Sequence, residues 1–141
     1  MINEFTQKVY YSDTDAYGVV WHGSYLRWME MGRISLCEEA GYSLSKLYDE
    51  DITLPVVEIN IRYKSPAKLE DIVLVKTEFL ESSKLSMTFK QQLFNQKTNK
   101  LYIEATVKVV AVHNDGNLYR NLPDALVNFI GKCKNEQSIT A

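Results

Sequence analysis

The densest concentration of ionisable side chains in the sequence is the stretch Tyr11-Ser12-Asp13-Thr14-Asp15-Ala16-Tyr17-Gly18-Val19-Val20-Trp21-His22-Gly23-Ser24-Tyr25. Two carboxylates and one histidine lie there, within a few residues of the start of a helix-prone segment. A carboxylate beside a helix N-terminus is a recognised arrangement for attacking a carbonyl group while backbone N–H groups polarise its oxygen. By position alone, Asp15 reads equally as a turn or capping residue, because Asp is common after a strand. Asp13 is expected to bond the loop backbone and position the loop. His22 has the right type for proton transfer, or for a structural hydrogen bond near a helix start. Gly18 marks either a positive φ or a close approach by substrate, and Tyr25 and Trp28 read as aromatics on a helix face.

The elements that must position these groups follow from periodicity. Phe5 to Tyr11 is β-prone and ends in the turn-forming Ser12-Asp13-Thr14-Asp15. Ser24 is the expected N-cap of a helix from Tyr25 to Ala40, stopped by Gly41. At about 100° per residue, Arg27, Glu30, Arg33 and Glu38 share one side of this helix. Leu26, Trp28, Met29, Leu36, Cys37 and Ala40 occupy most of the remainder, which predicts a largely buried helix. Gly32 costs roughly 1 kcal/mol of helix propensity relative to Ala, so another element is expected to pass close there.

From Pro55 onward the period changes to two. Val57, Ile59, Ile61 and Tyr63 alternate with Glu58, Asn60, Arg62 and Lys64, which predicts a strand with one face buried. Further strands are expected over Ile72 to Leu80, Leu85 to Leu93 and Ile103 to Ala111, with a short one over Leu118 to Leu122. A helical turn is expected around Leu44 to Tyr48, and Pro123 opens a terminal helix before a polar tail from about residue 132. A sheet curled around one long helix accounts for both patterns, so the fold class is α+β in a single domain spanning 1–141.

The bulk composition narrows the function. Lys+Arg 16 against Asp+Glu 18 leaves a net charge of -2, with no basic block of the kind that binds nucleic acid or anionic lipid. Apolar runs never approach the ~20 residues needed to span a bilayer. Cys37 and Cys133 lack metal-ligand spacing, and the first residues are too polar for a secretory signal, so a reduced, cytoplasmic protein without metal or bound cofactor is expected.

The pattern Asp13-x-Asp15-x-x-Gly18-Val19-Val20-x-His22-x-x-Tyr25, with Trp28-Met29-Glu30 and later Tyr63-x-x-Pro66-Ala67-x-Leu69-x-Asp71, resembles the 4-hydroxybenzoyl-CoA thioesterase family. The similarity is closest to the small acyl-CoA thioesterases encoded beside the bacterial Tol-Pal genes, and it runs from about Phe5 to Phe129. It implies a hot-dog fold with five or six antiparallel strands, and sites formed between subunits of a homo-oligomer, either a dimer or a tetramer. More apolar and edge-strand surface than one helix can cover is expected from Phe5 to Tyr11, Leu101 to Val112 and Trp21.

The resemblance also implies hydrolysis of a short- to medium-chain or aromatic acyl-CoA, with acyl carrier protein as an alternative carrier. Asp15 would be the catalytic carboxylate, as nucleophile or general base. Asp13, Tyr17, Gly18, Val19, His22 and Tyr25 would support it or line the substrate. Glu30 matches the helix carboxylate of another hot-dog branch, but its neighbours Arg27 and Arg33 favour a solvated or subunit-facing role. Arg62, Lys64, Lys84 and Arg120 are candidates for the phosphates of coenzyme A. A non-catalytic acyl-thioester binding module and a hot-dog dehydratase are the competing readings.

Overall fold

The computed structural model describes the backbone of residues 1–140 and the side chains of residues 1–135. Five strands, β1 (Ile2–Lys8), β2 (Val56–Tyr63), β3 (Ile72–Ser82), β4 (Ser86–Asn95) and β5 (Leu101–Val110), form one antiparallel sheet in the order β1-β3-β4-β5-β2. The chain also forms α1 (His22–Glu39), the short α2 (Leu44–Asp49) and α3 (Asp124–Thr140).

The period-two alternation does what it predicts in the centre of the sheet. Val73, Val75 and Phe79 of β3, Met87, Phe89 and Leu93 of β4, and Ile103, Ala105, Val107 and Val109 of β5 are all buried. They share one core with Tyr25, Trp28, Met29, Leu36 and Cys37 of α1. Each large apolar side chain so buried contributes about 1.5–3 kcal/mol relative to exposure. Gly32 is the point of closest approach: a Cβ there would stand 2.5 Å from Thr77 Oγ1 on β3 and 2.9 Å from Gln91 Nε2 on β4. The helix end also forms as expected, with Gly41 at φ +90 and Tyr42 N–H bonded to Cys37 O at 2.8 Å.

Several boundaries differ from those expected. β1 ends at Lys8, because Tyr10 N–H turns to the Asp13 carboxylate (2.9 Å) and opens the 3₁₀ turn Tyr11–Asp13. α1 begins at His22, and Ser24 is not its N-cap: the Ser24 hydroxyl is buried and donates to Asp13 O at 3.1 Å. Leu26 is exposed and falls outside the buried face. Leu118 to Leu122 forms no strand, only an isolated bridge from Leu118 to Val112. The polar segment expected as a tail from about residue 132 is helical in backbone through Thr140; its side chains beyond residue 135 and Ala141 lie outside the described residues.

The largest difference concerns β2. Its alternating face is not buried within the chain, since Val57, Ile59 and Tyr63 are 56%, 41% and 50% exposed. β2 crosses to the far edge of the sheet and pairs with β5 alone, while α1 lies over β1, β3 and β4. The two edges are therefore β1, which holds the start of the Phe5 to Tyr11 stretch, and β2, while the Leu101 to Val112 stretch expected to offer edge surface forms the interior strand β5.

Candidate active site

The loop between β1 and α1 is built around Asp13. Its side chain is buried, one oxygen accepting from Tyr10 N–H and the other from Arg27 Nη2 in an ion pair. Its carbonyl accepts from Trp21 N–H (2.8 Å) and from the Ser24 hydroxyl. One residue thus ties the strand exit, the loop and the first turn of α1 together.

Asp15 sits half-buried on the outer limb of this loop. Its Oδ1 accepts from Tyr17 N–H at 2.8 Å, its N–H donates to Val19 O, and its carbonyl accepts from Gly18 N–H. Among the described residues no hydrogen bond reaches Oδ2. This is an Asx turn that fixes the carboxylate while leaving one oxygen open. Gly18 has φ +78, a backbone conformation that favours glycine, and a Cβ there would meet no atom of the chain within 4 Å. Tyr17 contributes its N–H while its ring is fully out in solvent.

The helix that follows has no side-chain cap at Trp21. The first N–H groups of α1 have no intrahelical acceptors, so the open N–H groups of His22 and Gly23 offer donors for an oxyanion. The Trp21 ring lies against Gly23, where a Cβ would stand 2.2 Å from it, so a larger residue there would require the half-exposed ring to move.

A cleft of about 250 Å³ opens beside this helix start, lined by Val20, His22, Tyr25, Tyr63, Lys64 and Pro66. Its floor is rigid. The Tyr25 phenol accepts from Ala67 N–H at 2.9 Å and stands edge-on to Trp28 and Tyr63. Burial pushes the Tyr25 phenol up from its ordinary value, with the Ala67 bond opposing the shift, so it stays neutral. His22 is exposed at the rim, its ring 5.1 Å from that of Trp21.

The second motif, from Tyr63 to Asp71, is bonded to the site loop and to the end of β1. Val20 N–H donates to Ala67 O, Val19 bridges Lys68, and Val9 N–H donates to Asp71 O. Asp71 Oδ2 in turn accepts from Lys68 N–H and the Tyr102 hydroxyl. The Ser65 to Asp71 turn is therefore the anvil on which the site loop is held. Arg27, Tyr63 and Ala67 were not among the expected site residues. The Ser65-Pro66-Ala67 run is a sequence signal for a break in the strand, whereas a helix arginine gives no sequence sign of its ion-pair partner.

The four phosphate candidates separate. Lys64 lines the cleft with His22. Arg62 falls on the opposite face of the sheet with Asn60, Lys90 and Glu104. Lys84 belongs to the β3–β4 hairpin, its carbonyl bonded to Leu122 N–H, with Arg120 two residues before Leu122. Along β3 that hairpin is roughly 30 Å from the site loop, at ~3.3 Å per residue. Glu30 is exposed and lines a different pocket, beside Arg33 and Val56.

The geometry agrees with the comparisons to known proteins. The profile of the thioesterase-like superfamily matches residues 9–130. The acyl-CoA thioester hydrolase YbgC of Escherichia coli O6:H1 is 35% identical over 120 residues, covering 85% of this chain and 89% of that protein. The 1,4-dihydroxy-2-naphthoyl-CoA thioesterase of Synechocystis superposes with a TM-score of 0.83 at 22% identity, over 93% of this chain and 96% of that one. A mutant 4-hydroxybenzoyl-CoA thioesterase complexed with 4-hydroxybenzoyl-CoA gives 0.81 at 20% identity, over 94% and 98%. The matched span and the superposition over nearly the whole chain agree, and the chain belongs to the thioesterase-like superfamily with its hot-dog fold.

Proposed function

We propose that the protein hydrolyses acyl-CoA thioesters to the free acid and coenzyme A, with Asp15 as the reacting carboxylate. The observation that carries this reading is the Asp15 Asx turn, which holds Oδ1 on Tyr17 N–H and leaves Oδ2 open, in the loop that leads into the uncapped start of α1. Asp15 either attacks the thioester carbonyl, forming an anhydride and expelling the thiolate, or takes a proton from an attacking water. The first-turn N–H groups of α1 receive the negative charge that develops on the carbonyl oxygen. The cleft floored by Tyr25 and Tyr63 takes the apolar acyl group, and Lys64 at its edge is the best placed of the basic candidates for a phosphate. The cytoplasmic setting in this reading is supported by Cys37, a buried thiol outside any disulfide.

The unpaired β2 edge supports a homo-oligomer, a dimer or a tetramer made of two dimers, in which a second copy covers Val57, Ile59 and Tyr63. The test of the catalytic reading is Asp15→Asn. We expect kcat for acyl-CoA hydrolysis, followed by released thiol, to fall at least about 10²-fold with KM and melting temperature little changed. A well-folded Asp15→Asn enzyme with wild-type kcat removes the mechanism. Acyl-CoA binding without thiol release by the wild type indicates the non-catalytic binding module instead.

A further inference from the structure

Tyr102 breaks the alternation of β5. Ile103 is paired with Leu93 of β4 and Leu101 with Phe94, so Tyr102 is the extra residue of a β-bulge. Two consecutive residues, Tyr102 and Ile103, are therefore buried where a regular strand would turn one of them to the other face. A bulge re-aims a side chain. This one sends the Tyr102 hydroxyl to the turn that holds the site loop.

The hydrogen bonds of that hydroxyl have a fixed direction. Asn95 Oδ1 accepts from Lys97 N–H (2.9 Å) and Thr98 N–H (3.0 Å), which orients the amide so that Nδ2 donates to the Tyr102 oxygen at 2.7 Å. The phenolic hydrogen is left for Asp71 Oδ2, 2.9 Å away. Burial pushes the Tyr102 phenol up to about 12, with the Asn95 bond opposing the shift and Asp71 adding to it, so the group is a neutral donor.

The main chain at the same place holds the other end of the turn. Tyr102 O accepts from Lys64 N–H at 2.8 Å, and Leu101 O accepts from the Ser65 hydroxyl at 2.7 Å. The bulge thus clamps the segment from Lys64 to Asp71 at both ends. Between the clamps lie the residues that meet the site loop: Ala67 O accepts from Val20 N–H, Lys68 bridges Val19, and Val19 O accepts from Asp15 N–H. Asp71 Oδ2 also accepts from Lys68 N–H, so contacts run without a break from Tyr102 through Asp71, Lys68 and Val19 to Asp15.

We propose that Tyr102 is a positioning residue for Asp15, acting through Asp71: its hydroxyl fixes the turn against which the site loop holds the reacting carboxylate. The kinetic consequence rests on the thioesterase reading, in which Asp15 reacts; the hold on the loop does not. A misplacement of about 1 Å can cost ~10²-fold in rate, so loosening the turn should lower kcat while leaving KM nearly unchanged.

The experiment compares Tyr102→Phe, Asp71→Ala and Asp71→Asn in the full chain, by thiol release from octanoyl-CoA and benzoyl-CoA and by amide hydrogen exchange. Tyr102→Phe keeps the buried ring and removes the bond to Asp71. It should lower kcat about tenfold with KM within about twofold of wild type. Exchange at the Asp15 and Val20 amides should rise about tenfold while the amides of β4 stay as protected as before. Asp71→Ala reaches the same turn from its other partner, so it should match or exceed these losses, and adding Tyr102→Phe to it should cost nothing further. Asp71→Asn keeps an oxygen for both Lys68 N–H and the Tyr102 hydroxyl, and it should retain kcat and protection. Wild-type kcat in a folded Tyr102→Phe enzyme, or unchanged exchange at Asp15 and Val20, overturns the proposal and leaves Tyr102 as a core residue that affects melting alone. Inactivity of the wild type on both thioesters would sink the hydrolase reading instead, and the exchange would still decide whether Tyr102 holds the loop.

Discussion

Asp13 and Arg27 meet as an ion pair in which the carboxylate side chain is 3% exposed and the guanidinium 60% exposed. The arrangement is asymmetric: the buried partner also holds Tyr10 N–H, while the exposed partner remains largely hydrated. Most of the stabilisation therefore lies in the bonds that satisfy the buried carboxylate, and only a small part in the screened attraction between the charges.

Asp13→Asn keeps the shape but loses the charge, so one charge-assisted bond becomes a neutral or unmade one. We expect about 2 kcal/mol of stability to be lost, lowering the melting temperature by roughly 5–10 °C. The kinetic effect should be smaller than that of Asp15→Asn, because Asp13 acts through the loop. Thermal melts beside steady-state kinetics of both variants check this, and a severe kcat loss confined to Asp13→Asn would transfer the catalytic carboxylate there.

Gly32→Ala sets two known effects against each other. Alanine gains roughly 1 kcal/mol of helix propensity, but its Cβ would lie 2.5 Å from Thr77 Oγ1 and 2.9 Å from both Gln91 Nε2 and Val75 Cγ1. Overpacking of this kind costs about 1–3 kcal/mol, so the variant should be less stable. A denaturation midpoint above that of the wild type would show that the helix and sheet can separate there at little cost.

Gly32 also shows what could be read in advance. A glycine inside a helix with so wide an apolar face had to signal a close neighbour, and the period-two runs of β3, β4 and β5 left little doubt about which faces were inside. Asp15 and Gly18 were visible as a loop with special geometry. The order of the strands was not visible, because β2 shows the same alternation as a buried strand. Its apolar face lies at the sheet edge beyond α1, and periodicity records that a face is apolar without recording what covers it. The helix start was misplaced for a similar reason: Ser24 has the composition of a cap, but the turn at Asp13 had already claimed its hydroxyl.

The Asp51 to His113 contact predicts a pH dependence away from the site. Asp51 Oδ2 lies 2.6 Å from His113 Nδ1, Oδ1 accepts from Asn114 N–H, and the His113 ring stacks on Tyr119 at 3.8 Å. The His113 bond first, and the Asn114 bond second, hold the Asp51 carboxyl below its ordinary value. A carboxylate with a depressed folded pKa contributes stability that is present above its unfolded pKa, about 3.9, and is lost as pH falls through the folded value. Asp51→Asn tolerates the left-handed backbone at φ 64. It should therefore show a shallower fall in melting temperature between about pH 4.5 and pH 2.5 than the wild type. Superimposable acid limbs would mean that the contact contributes nothing.

The last prediction concerns the β2 edge. Ile59 is 41% exposed on a strand with one side unpaired, and it lies between Val57 and Ile61 on the face that α1 leaves open. Placing a charge there costs a single chain little, within about 0.5 kcal/mol for an exposed position, but it would bury an unpaired carboxylate wherever a second copy covers the strand. Wild-type protein should scatter light as a multiple of the 16.3 kDa chain at micromolar concentration, and Ile59→Glu should shift it to monomer with the far-ultraviolet circular dichroism unchanged. A monomeric wild type would remove the assembly from the proposed function. An unshifted Ile59→Glu oligomer would keep the assembly and move its interface away from β2, leaving the exposure of Val57, Ile59 and Tyr63 to be explained by another partner.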